Sequence, residues 1–75
     1  MSIQIEGRDY TAQIFHHDPQ GRPSYMLTGK RGAVYMTIRF DANPELMSVM
    51  NEKCRCLPVL LTDRNGALEV TRAIR

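Results

Sequence analysis

Seventy-five residues with 43% hydrophobic content are enough for one small domain over 1–75 and exclude a chain that is disordered by composition. A net charge of +2 and a pI of ≈ 8.8 accommodate a nucleic-acid partner without requiring one. No apolar run approaches the ~20 residues of a membrane helix, and MSIQIEGRDY lacks the apolar centre of a signal peptide, so a cytoplasmic setting without a membrane is expected.

Ile3 and Ile5 alternate with Gln4 and Glu6. After the turn signal EGRD (6–9), Tyr10, Ala12 and Ile14 alternate with Thr11, Gln13 and Phe15. A period of two is the mark of a strand with one buried face. DPQGRP (18–23) is the next turn, with Asp18 in its first position and Pro19, whose φ is fixed, in its second.

GKRG (29–32) lies between two further alternating runs. A Walker loop needs GxxxxGK[ST] followed by a helix, and here a strand follows, so GKRG reads as a hairpin tip. Pairing 24–28 with 33–39 across it sets Leu27 against Val34 and Tyr25 against Met36 on the core face. Thr28 then meets Ala33, and Met26 meets Tyr35, on the other face. In this register Val34, Met36, Ile38 and Phe40 point inward, while Ala33, Tyr35, Thr37 and Arg39 point outward.

After DANP (41–44), the segment NPELMSVMNEK has Asn43 as an N-cap, Pro44 at a first helical position and Glu45 near the positive helix end. Leu46, Val49, Met50 and Lys53 then fit helical spacing, and one short helix near 44–52 is expected, although the same letters also alternate as a strand. Asn65-Gly66 is the strongest hairpin signal, because a type I′ turn needs positive φ at both central positions. Pairing outward from it sets Leu61 against Val70 and Asp63 against Leu68, with Ile74 further along the same apolar face.

The elements add up to a mainly β domain (or α+β with one short helix): a small antiparallel curled sheet or open barrel of five to six strands. Its expected core is Ile5, Ile14, Leu27, Val34, Met36, Ile38, Leu61, Leu68 and Val70.

Chemistry-bearing patterns are sparse. His16 and His17 are adjacent on a strand and so point to opposite faces. No serine stands in a nucleophile elbow, and no base is identifiable beside Cys54 or Cys56. Two His and two Cys match the ligand count of a zinc site, but HH and CxC replace the spacings that let two ligands from one turn reach one ion. The cysteines read as reduced thiols packed as small apolar groups. No catalytic residue, metal ligand or cofactor is therefore expected, and the chain reads as a non-enzyme.

The run YMLTGKRGAVYMTIR, the NP turn and LLTDRNGALEV together resemble small accessory proteins of bacterial plasmids and integrated mobile elements, loosely over residues 25–70. The resemblance implies a bacterial accessory role and transfers no activity. Two functions are expected on these grounds. The first is a non-catalytic interaction module for a protein partner or a second copy of itself. The alternative is a nucleic-acid-binding small β domain. Lys30, Arg31, Tyr35, Arg39 and Met26 are the candidate binding residues for either, as a basic tip above an outward aromatic and methionine.

Overall fold

The computed structural model describes residues 1–64 and 66–73 and shows an antiparallel meander. β1 (Ser2–Ile5), β2 (Arg8–His17), β3 (Pro23–Gly29), β4 (Val34–Phe40), β5 (Asn43–Asn51), β6 (Cys56–Arg64) and β7 (Ala67–Ala73) are each hydrogen-bonded to the next in sequence. The sheet curls until β7 approaches β1, which gives a nearly closed barrel with one seam. The expected mainly β architecture is the one that forms, with seven strands in place of five to six.

The helix expected near 44–52 is a strand, and the described residues contain no helix. Met47 and Val49 are fully buried inside the barrel, whereas Leu46, Ser48 and Met50 lie on its outer surface. As a strand, this segment hydrogen-bonds to β4 on one side and β6 on the other. A two-turn helix would leave both of those ladders open, a cost that local capping does not offset.

Three of the connections share one geometry. In 18–22, 29–33 and 51–55 the first N–H donates to the carbonyl of the fifth residue, and the fourth N–H donates to the carbonyl of the first. The fourth residue has positive φ in each: Gly21 at 81°, Gly32 at 83° and Cys54 at 60°. Such a loop is a type I turn followed by a left-handed residue that forms a bulge. Asp18 and Asn51 reinforce two of the turns by accepting the N–H groups two and four residues ahead. The backbone N–H of Arg22 is also the chief reason that the Asp18 carboxyl titrates below the usual range.

The loop at 29–33 determines which face of β4 is inside. Because it holds one more residue than a tight hairpin, Leu27 pairs with Tyr35, Met26 with Met36 and Thr28 with Val34. This is a one-residue shift from the register expected from the sequence, and such a shift turns every side chain over. Tyr35, Thr37 and Arg39 therefore face the interior, and Val34, Met36, Ile38 and Phe40 face out. Val34, Met36 and Ile38 accordingly leave the expected core.

The interior is built from Ile3, Ile5, Tyr10, Ala12, Tyr25, Leu27, Met47, Val49, Val59 and Leu61, with Tyr35, Leu57 and Leu68 packed against them. The expected core residues Ile5, Leu27, Leu61 and Leu68 are in place. Ile14 is exposed where a bulge interrupts the β2–β3 register, and Val70 is exposed on β7 beside the seam. The expected pairs Leu61–Val70 and Asp63–Leu68 both form. Asn65 and Ile74 lie outside the described residues.

Candidate functional site

The structure separates the five residues singled out from the sequence. Lys30 and Arg31 are exposed at the β3–β4 tip, where the Lys30 ammonium lies 3.8 Å from Asp9. They line a depression of ≈ 320 Å³ together with Arg8, Tyr10 and Gly29. Tyr35 points inward and packs edge-to-face on Tyr10, with ring centroids 5.9 Å apart at 85°. Met26 is on the outer surface, on the opposite face of the sheet from Tyr35. The expectation of an outward Tyr35–Arg39 pair beside Met26 is thus corrected by the β3–β4 register.

Arg39 spans the open end of the barrel. Its Nη2 donates to the Pro23 carbonyl at 2.6 Å and to Asp63 Oδ2 at 2.8 Å, its Nη1 to the Pro44 carbonyl at 2.6 Å, and its Nε to the Pro23 carbonyl at 3.2 Å. The side chains of Arg39 and Asp63 are only 13% and 8% exposed. The Tyr25 hydroxyl also donates to Asp63, at 3.4 Å. Burial, and then the charge of Asp63, raise the pKa of the Tyr25 phenol. On the backbone of the same residue, the Tyr25 N–H donates to Thr37 Oγ1 at 2.8 Å. The β3–β4 ladder ends at Met26, and from there the side chains of Thr37 and Arg39 take over its bonds. Inward polarity on β4 therefore serves to join strands, since buried backbone groups left unpaired are costly.

The other face of β4 exposes a row of large apolar side chains. Val34, Ile38 and Phe40 are 44%, 46% and 41% exposed. Met26, Met36 and Met50 pair side by side across β3, β4 and β5, and all three are half-buried. Ser24 and Thr28 on β3, and Leu46 and Ser48 on β5, complete the outward positions. None of these outward side chains on three consecutive strands is charged, in a chain whose residues are 24% charged. Charges stand instead at the margins, as the exposed pairs Lys30–Asp9 and Arg64–Glu69. Of the five residues expected from the sequence, only Met26 belongs to this face. The signal that points to it is the apolar alternation of 34–40, once its apolar side is turned outward.

Cys54 and Cys56 are free and exposed rather than packed as apolar groups. Among the described residues, no three of His, Cys, Asp and Glu converge in the manner of a metal site. His16 and His17 are exposed at the end of β2. The arrangement offers an exposed apolar face on β3–β5 and a basic depression at one barrel end. Comparison with protein families, with curated proteins and with solved structures finds no match for this chain.

Proposed function

We propose that the protein is a non-catalytic interaction module that binds a protein partner through the outer face of β3–β5. One observation carries the reading: Val34, Ile38 and Phe40 stand exposed around the methionine row on a surface without charge. Contiguous apolar surface rimmed by polar groups marks interaction sites, because leaving it in water is unfavourable. Methionine suits such a surface, since its unbranched, polarisable side chain adapts to the shape laid on it. In keeping with the resemblance of residues 25–70, the module would act as an accessory factor of a bacterial mobile element in the cytoplasm.

A second reading rests on a different observation. Arg8, Lys30 and Arg31 surround the depression at the barrel end, which supports contact with nucleic-acid phosphates. Tyr35 and Arg39 add nothing to that patch, as both point inward, and Asp9 partly neutralises it.

Photo-crosslinking in the native host cell separates the two. The first reading expects protein adducts from Ile38→p-benzoylphenylalanine and none from the same replacement at Lys30. Nucleic-acid adducts from position 30, lost steeply as salt is raised, would favour the second. Silence at position 38 would overturn the first.

A further inference from the structure

We infer that the occupant of the β3–β5 outer face is a second copy of this chain, giving a weak, two-fold symmetric homodimer. The inference rests on the reading of that face as a protein-binding surface and names its partner.

Charge is the first argument. Each chain carries a net charge of +2, so two copies repel unless they meet where that charge is absent. In a two-fold interface the same patch meets itself, and a charged residue near the axis would face its own image. The outward positions of β3, β4 and β5 hold no charged side chain at all. A differently composed, charged partner would call for complementary charges within the face, and the face offers none.

Size is the second. β4 has seven residues, and the uncharged face has it at the centre. Seven residues at about 3.4 Å, by three strands about 4.8 Å apart, give a footprint of roughly 350 Å². A standard stable interface buries about 800 Å² per partner, so this one falls at the small end, where association is reversible and concentration-dependent. Shape points the same way. The outer surface of a barrel is convex, and two convex faces touch along the middle strands and diverge at the sides. Met26 and Met50 flank Met36 there, with side chains flexible enough to fill the widening gap.

The five methionines make a built-in reporter set. Met26, Met36 and Met50 lie on the proposed interface, Met47 is in the core, and Met1 is exposed elsewhere. The experiment is sedimentation equilibrium of the full chain from about 5 μM to about 500 μM, the range in which a small interface exchanges. It is paired with methyl NMR over the same series. The expected result is a rise in mass towards twice 8.6 kDa, with concentration-dependent shifts at Met26, Met36 and Met50 and none at Met1 or Met47. Ile38→Lys is expected to raise the dissociation constant at least tenfold, and Lys30→Ala to leave it unchanged. A chain that stays monomeric throughout, or a dimer indifferent to Ile38→Lys, overturns the proposal. If the chain is monomeric while position 38 still crosslinks to a protein of another mass in cells, the second copy is wrong and the binding face stands. If position 38 crosslinks to nothing, both are wrong.

Discussion

β3 and β4 are neighbours of seven residues each, and they resolve the same alternation in opposite ways. β3 buries Tyr25 and Leu27 and turns Ser24 and Thr28 outward, as binary patterning leads one to expect. β4 does the reverse, burying Thr37 and most of Arg39 while Val34, Ile38 and Phe40 remain in water. Alternation sets the period of a strand but not its sign. On β4 the sign is set by the bulged loop before it and by the backbone groups that Thr37 and Arg39 satisfy. Hydrophobic burial alone would favour the other face.

That contrast can be broken most severely at Arg39. Arg39→Ala leaves Asp63 buried without its cation and frees the Pro23 and Pro44 carbonyls, so a loss of about 3–5 kcal/mol is expected in urea unfolding. A loss below about 1 kcal/mol would show that the inward polar set does not hold β4 in place.

Thr37→Val keeps the shape of the side chain and removes the acceptor of the Tyr25 N–H, which is expected to cost about 1–3 kcal/mol by the same measurement. Gly32→Val acts on the loop instead. At φ 83° the backbone is in the left-handed region, and although space around the site is open, a branched side chain should cost about 1–2 kcal/mol.

The outward side chains of β4 should be far less sensitive to replacement. Ile38→Lys on dilute protein should change stability by no more than about ±0.5 kcal/mol, because the side chain is half in water already. A large destabilisation would mean that Ile38 packs within the monomer, and the outer face would lose its claim to be a binding surface.

The smallest effect is expected at the turn that leads into β3. Asp18 titrates below the usual carboxylate range, so its contribution is complete above the ordinary carboxylate pKa and is lost as pH falls through the lowered value. Asp18→Asn should remove that acid dependence while keeping both N–H bonds, as Asn51 does with an amide oxygen in the equivalent turn. Chemical denaturation at a series of acidic pH values reads the difference.

Much of the fold is legible in the letters. The turns at 18–22 and 29–33 fall where Gly, Asp and Pro place them, and the pairing of Leu61 with Val70 can be counted outward from residue 66. The turn at 51–55, with Cys54 at positive φ, has only Asn51 to mark it. Two features are not legible in this way. Residues 43–51 carry helical start signals, and only the presence of β4 and β6 on either side makes a strand the better solution. The five-residue loop at 29–33 cannot be told from a tighter one by its composition, since Gly29 and Gly32 suit both. That one-residue ambiguity propagates into the site. Met26 belongs to an outward face under either register, whereas Tyr35 and Arg39 join it only when β4 is turned over. The exposed apolar face is visible in the sequence as a pattern and hidden there as a surface.

The simple strand order has a consequence for how the molecule comes together in time. Every ladder joins segments adjacent in sequence, so no distant pairing has to be found before hairpins can form, and folding should be fast for an all-β chain. Among the described residues the bonds of Asp63 are the exception, reaching 24 residues back to Arg39 and 38 back to Tyr25. They can close only after the strands between them are arranged. Their contribution therefore falls on the lifetime of the finished barrel more than on the speed of its assembly, and a chain without Arg39 would open sooner while still closing at nearly its native rate.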